Sequence, residues 1–82
     1  MKGVYKMGKT LIRNNIRKLR FLHDEMTQQQ LADKVGVTRQ TIVAVEQEKY
    51  SPSLELAFLI AEVFNLPLEE VFTYHPAEKL PK

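Results

Sequence analysis

An all-α fold, a compact bundle of five short helices, is predicted for this 82-residue chain by three observations. Apolar residues recur at spacings of three and four from Ile12 onward, which is the helical period. Capping residues, Thr27, Thr38 and Ser53, stand directly before three of these runs. Breakers separate the runs, with Gly36 after one, Tyr50-Ser51-Pro52 after the next and Asn65 with Pro67 after a third. A hydrophobic content of 44% suffices for one core and not for two. The chain has no cysteine, so neither a disulfide frame nor a thiolate metal site holds it, and packing must.

Residues 1–10 (MKGVYKMGKT) show no helical period and read as a basic arm without a fold of its own. In the first helix Ile12, Ile16, Leu19 and Leu22 or His23 form the apolar face, Arg13, Arg17, Lys18 and Arg20 the charged one, and the end falls near Asp24. Thr27 with Gln30 three residues later is a capping box that opens the second helix. That helix turns Leu31, Ala32 and Val35 inward and stops at Gly36, suited to a left-handed C-cap. Thr38 opens the third helix, with Ile42 and Val45 inward, so two helices are joined by a three- to four-residue turn containing glycine. The residue before Pro52 is driven out of the helical region, and Ser53 caps a fourth helix. Its stripe of Leu54, Ala57, Phe58, Ala61 and Phe64 is widened by Leu56, Leu59, Ile60 and Val63 until only Glu55 and Glu62 mark a polar edge. Leu68, Val71 and Phe72 make a short fifth helix after Pro67. The folded domain is thus expected over 11–73, with the polar, proline-rich 74–82 as a tail.

Charge is distributed more tellingly than the net value of +2 suggests. Residues 1–20 hold seven bases and no acid, whereas 51–78 hold Glu55, Glu62, Glu69, Glu70 and Glu78 and no base. One pole therefore suits phosphates and the other faces water or a protein partner. An enzyme is disfavoured: His23 and His75 lack a spaced ligand cluster, no glycine-rich phosphate loop occurs, and adjacent Glu69 and Glu70 do not face each other across a cleft. No cofactor, metal or small-molecule ligand is expected. No window is apolar enough to span a membrane and no signal-like h-region follows the first lysines, so the expected compartment is cytoplasmic.

The segment from Thr27 to Phe72 resembles the Cro/C1-type (XRE-like) helix-turn-helix transcriptional regulators, through Thr27-Gln28, Leu31-Ala32, Gly36-Val37-Thr38, Ile42, Glu46 and Pro52-Ser53-Leu54 in the family's order and spacing. With the first helix the resemblance covers about three quarters of the chain. It implies a lambda-repressor-like five-helix domain, the third helix (38–47) as recognition helix, double-stranded DNA as partner, and a repressor-type homodimer on a two-fold operator. It also pairs a first-helix arginine with the third-helix glutamate, here Arg20 and Glu46. Two departures stand out: Glu48 replaces the family's usual glycine, and the connection His23-Asp24-Glu25-Met26 is one residue longer than usual.

On that implication, residues at the start of the recognition helix reach base edges: Thr38, Arg39, Gln40 and Thr41. Arginine gives two parallel hydrogen bonds to guanine, and glutamine two to adenine. Val43 and Ala44, one turn on, lie off the Ile42 and Val45 stripe; Val43 either meets a thymine methyl or is an ordinary surface valine. Gln28 matches the family's phosphate-clamping glutamine at a helix N-terminus. Arg17, Lys49, Tyr50 and Ser53 are further candidates for phosphate contacts. For the surplus apolar surface two readings stay open. Leu56, Leu59, Ile60, Val63 and Phe72 line a dimer interface, or the fourth helix is the buried centre of the domain. The rival function is a protein-interaction module, such as an antitoxin or adaptor, that uses the apolar C-terminal half.

Overall fold

A computed structural model describes residues 10–75. Most of the expected arm, and the tail after His75, lie outside the described residues. The element order is β1 (Ile12–Asn14), α1 (Ile16–Leu22), α2 (Gln28–Val35), α3 (Arg39–Glu46), α4 (Leu54–Val63), α5 (Leu68–Val71) and β2 (Phe72–Tyr74). Five helices are present among the described residues, but the first begins only at Ile16, Phe72 belongs to a strand and not to the fifth helix, and the fold is not all-helical. Strands β1 and β2 form an antiparallel pair in the register Ile12 with Tyr74, Arg13 with Thr73 and Asn14 with Phe72.

The correction at the N-terminal side has a clear local cause. Ile12 and Ile16 are four apart and mimic a helical stripe, yet the helix begins only at Ile16. Asn14 Oδ1 accepts from the Ile16 N–H at 3.1 Å, while its Nδ2 donates to the Val45 carbonyl at 2.9 Å. This side chain offers the backbone an alternative to continuing a helix backward. Ile12 and Arg13 therefore belong to a strand, not to the apolar and charged faces of α1. Thr73 and Tyr74, read from the sequence as the edge of the domain and the start of a tail, supply the partner strand.

Local chemistry fixes each helix start. The Thr27 hydroxyl accepts from the Gln30 N–H at 2.9 Å and the Gln30 amide oxygen accepts from the Thr27 N–H at 2.8 Å, a complete capping box. Thr38 Oγ1 accepts from the Thr41 N–H at 3.2 Å and Ser53 Oγ from the Leu56 N–H at 3.1 Å. Gly36 closes α2 at φ 78°, a left-handed conformation that glycine takes without steric cost. Three other turns hold non-glycine residues at positive φ: Asp24 and Glu25 after α1, Glu48 after α3 and Asn65 after α4. The position where glycine is usual in the resembled family is thus occupied by a glutamate in a left-handed conformation.

One core joins every element. Ile16, Leu31, Ile42, Ile60 and Val71 are completely buried, one from each helix. Helix α4 runs through the middle, burying Leu56, Ala57, Ile60 and Ala61. Its buried stripe differs from the expected one, since Leu54 and Phe58 turn outward at 68% and 53% exposure. The reading of α4 as the central helix therefore accounts for half of its apolar surface and leaves the other half in solvent. Leu56, Ile60 and Phe72, named as interface candidates, lie inside the protomer and are corrected to core residues. Leu59 is exposed and Val63 is half-buried against the core.

Candidate nucleic-acid interface

Helices α2 and α3 are set at a short turn by Gly36, whose N–H, like that of Val37, donates to the Ala32 carbonyl. Inward-facing Leu31, Ala32, Val35, Ile42 and Val45 join the pair in one core, with α2 packed on both α3 and α4, so their outer surfaces are held in one relative orientation. At the start of α3 the side chains of Thr38, Arg39 and Gln40 are exposed. Thr41 is half-buried, and its hydroxyl lies 3.0 Å from that of Thr38. With both threonine hydroxyls engaged on each other, Arg39 and Gln40 are the polar groups presented outward. Val43 and Ala44 are half-buried one turn further along.

Beside this helix lies an open groove of about 620 Å³, floored by the start of α2 and walled by α1 and α3. Arg17, Arg20 and Arg39 line it together with Gln28, Glu46 and Gln47. Glu25 and Glu46 also line it and Arg20 is engaged by Glu46, so Arg17 and Arg39 are the guanidinium groups in it suited to anionic atoms. Two of its liners, Gln29 and Gln47, were not singled out from the sequence. The signal was present for Gln47, which lies eight residues after Arg39 and four after Val43, on the same side of the helix.

The groove is organised around Glu46. Arg20 Nε donates to Glu46 Oε2 at 2.6 Å and its second terminal nitrogen to Oε1 at 3.0 Å, a bidentate fork. The remaining terminal nitrogen, Nη1, donates to the Met26 carbonyl at 2.7 Å. Arg20 thereby ties the long connection after α1 to the end of α3. Gln28 Nε2 donates to Glu46 Oε1 at 3.2 Å, so the same carboxylate orients the glutamine at the N-terminus of α2. The side chains of Arg20 and Glu46 are only 14% and 8% exposed. Gln28 therefore stands on a fixed support rather than free in solvent, with an amide oxygen and a second N–H in hand for a ligand.

Past α3 the chain turns through Glu48, which pairs with Arg13 of β1 at 3.3 Å. Lys49 and Tyr50 are exposed in the following loop. The Ser53 oxygen caps α4, leaving its hydroxyl proton as the group that can be offered outward. The structure thus gathers Gln28, Arg17 and Arg39 into one groove, sets Lys49, Tyr50 and Ser53 on the loop after α3, and assigns Arg20 and Glu46 to each other. The exposed apolar side chains of α4, Leu54, Phe58 and Leu59, are not among the lining of this groove. Among the described residues no group of three or more His, Asp or Glu side chains is disposed to hold a metal ion, and no helix is long and apolar enough to cross a membrane.

Comparison with known proteins adds to this geometry. A helix-turn-helix family model, HTH_3, matches residues 16–71. Similar sequences include the "Uncharacterized HTH-type transcriptional regulator MJ0272" of Methanocaldococcus jannaschii, 48% identical over 67 residues, which span 82% of this chain and all of that protein. An uncharacterized HTH-type transcriptional regulator of Archaeoglobus fulgidus is 49% identical over 67 residues, 82% of this chain and 94% of its own length. Bacillus subtilis YgzD, of the same description, is 41% identical over 61 residues, 74% of this chain and 91% of its own. In fold, the chain is similar to a "putative DNA-binding protein" of Bacteroides fragilis, with a TM-score of 0.65 and 24% identity over 76% of this chain and 98% of that one.

Proposed function

The chain belongs to the Cro/C1-type helix-turn-helix family of transcriptional regulators, and from that premise we propose that it binds double-stranded DNA in a sequence-specific way, with α3 in the major groove. The observation that carries the reading is the exposure of Arg39 and Gln40 at the first turn of α3, next to an arginine-lined groove that also contains Gln28. A recognition helix meets base edges through its N-terminal residues. Arg39 is suited to the O6 and N7 of a guanine and Gln40 to the N6 and N7 of an adenine, each worth about 1–3 kcal/mol of discrimination. The methyls of Thr41, Val43 and Ala44 suit thymine methyls beside them.

Phosphates are the natural occupants of the remaining groups. Gln28, Arg17, Lys49, Tyr50 and Ser53 flank α3 on both sides and fix register without reading sequence. Glu46 has no role toward DNA. It holds Arg20 and Gln28, so it acts on binding through the orientation of Gln28.

The protein works as a repressor-type homodimer in this reading. Two protomers related by a two-fold axis set their α3 helices about 34–36 Å apart, one turn of DNA, so that each reads a half-site. The apolar side chains left outside the protomer core, Leu54, Phe58 and Leu59, are the supporting observation, because soluble monomers rarely expose contiguous apolar patches of size. The same exposed residues favour the second reading, an antitoxin- or adaptor-like module that holds a protein partner.

One comparison separates the two. Affinity for duplex DNA is measured for the wild type, Arg39→Ala and a Leu54→Ser/Leu59→Ser variant at two salt concentrations. DNA reading predicts a steep fall of affinity with salt and a loss of tenfold or more for Arg39→Ala. Indifference to Arg39→Ala, with no salt dependence, would leave the partner-binding module standing.

A further inference from the structure

Two elements hold the C-terminal end of α3 through polar groups. One hold is the fork from Arg20 of α1 to Glu46. The other comes from β1, where Asn14 Nδ2 donates to the Val45 carbonyl at 2.9 Å. That carbonyl belongs to the turn that closes the helix. The Glu48 N–H donates to it at 3.0 Å and the Lys49 N–H donates to the Ala44 carbonyl at 3.1 Å, the paired bonds of a Schellman-type end with Glu48 at φ 62°. A carbonyl oxygen accepts twice, so Asn14 fills the second position. Val45 is 2% exposed, which puts that position out of reach of bulk water. The Thr10 N–H donates to the Glu48 carbonyl at 3.3 Å and Arg13 pairs with the Glu48 carboxylate at 3.3 Å, so the chain from 10 to 14 grips this one turn.

The Asn14 amide is itself fixed. Its Oδ1 accepts from the Ile16 N–H at 3.1 Å, its backbone stands opposite Phe72 in the sheet, and the next residue, Asn15, donates its N–H to the Val71 carbonyl at 2.9 Å. Oxygen toward an N–H and nitrogen toward a carbonyl is the one orientation of the amide that satisfies both partners. A single side chain therefore starts α1, stands in the sheet and ends α3. Asn14 is half-buried and does not line the arginine groove, so it is not a group that DNA would meet there.

We propose that Asn14 is a positioning residue for sequence reading: by fixing the Val45 carbonyl it sets the roll of α3, and with it the aim of Arg39 and Gln40. The proposal rests on the DNA reading by α3 given above. Ile42 and Val45 hold the helix against the core, but apolar contact is non-directional, whereas a hydrogen bond is directional. A helix with its side chains has a radius of about 5–6 Å, so a roll of about 10° carries a side-chain tip by about 1 Å. Binding groups must be held to about 0.5 Å, so a roll of that size is enough to spoil a bidentate contact to a base.

The test measures the affinity of the full chain for two duplexes, the site that wild type selects from a random pool and a mixed-sequence control. Wild type and Asn14→Ser are compared, each with and without Arg39→Ala, at a temperature where circular dichroism shows the proteins folded. Serine keeps an acceptor for the Ile16 N–H and is too short to reach Val45. Asn14→Ser should lower the preference for the selected site about fivefold or more, the worth of one weakened bidentate contact, and leave affinity for the control within about twofold. With Arg39→Ala already present, the same substitution should change the preference by about twofold at most, because the contact it misdirects is gone. An unchanged preference in folded Asn14→Ser overturns the proposal. So does an equal loss with and without Arg39, which is what a general loosening of the domain produces. Should Asn14→Ser not fold, Asn14→Asp carries the same comparison, being isosteric and still an acceptor for the Ile16 N–H but, when ionised, without a donor for Val45. Loss of folding in both variants overturns the proposal by making Asn14 a residue of stability alone. Absence of any duplex preference in wild type overturns the DNA reading together with this proposal, and is distinguished by that from failure of Asn14 alone.

Discussion

Replacing Glu46 by alanine removes one carboxylate and strands three donors. Arg20 loses both arms of its fork, at 2.6 and 3.0 Å, keeping only the bond from Nη1 to the Met26 carbonyl, and Gln28 Nε2 loses its acceptor at 3.2 Å. An exposed pair would cost about 0.2–1 kcal/mol, whereas breaking one side of a buried pair costs about 3–5 kcal/mol. With side chains 14% and 8% exposed this pair lies close to the buried limit, so the loss should be about 3 kcal/mol. A chain of this length is stable by about 4–12 kcal/mol, so the variant would melt roughly 12–24 °C lower. The assay is urea unfolding followed by circular dichroism for wild type, Glu46→Ala, Arg20→Met, and Arg20→Met with Glu46→Leu. The double variant removes both charges and fills the space, so it should recover most of the loss. A Glu46→Ala cost below about 1 kcal/mol, or a double variant that simply sums the singles, would refute the view that this pair holds α1 to α3.

Other perturbations act on single features. Glu48→Gly relieves a left-handed non-glycine residue at φ 62° and gives up a partly exposed pair with Arg13, so urea unfolding should show a net stabilisation of up to about 1 kcal/mol. Thr27→Ala removes half of the capping box and should cost about 1 kcal/mol in the same assay. Ile60→Ala empties a fully buried site and should cost about 2–5 kcal/mol. Leu54→Ser with Phe58→Ser should leave the melting temperature of the dilute protomer nearly unchanged while weakening self-association in sedimentation equilibrium; an unaltered association constant would place the dimer contact elsewhere.

The five helices were legible because their boundaries are written in local chemistry. Thr27 with Gln30, Thr38, Ser53 and Gly36 act on neighbours within four residues, and no tertiary contact is needed to read them. The two strands were not, because three residues on each side carry no period of their own and depend on a partner 60 residues away. The pair Asn14-Asn15 just before Ile16 was the available sign that the helix starts there, since asparagine favours the flank of a helix over its interior. On α4 the composition gave an apolar surface too wide for one face, but not which half goes inward; Leu56 and Ile60 are settled by packing into the core, whereas Leu54 and Phe58 stay exposed among the described residues. The association of Arg20 with Glu46 came from the family resemblance, and the attachment of Gln28 to the same carboxylate came only from the fold.

The claim that α3 reads DNA is met most directly by selecting bound duplexes from a random pool at near-physiological salt with wild type, Arg39→Ala and Gln40→Ala in parallel. The account predicts enrichment of a two-fold motif, with a guanine position that degenerates in Arg39→Ala and an adenine position that degenerates in Gln40→Ala. No enrichment with wild type, or the same motif from all three proteins, would contradict it.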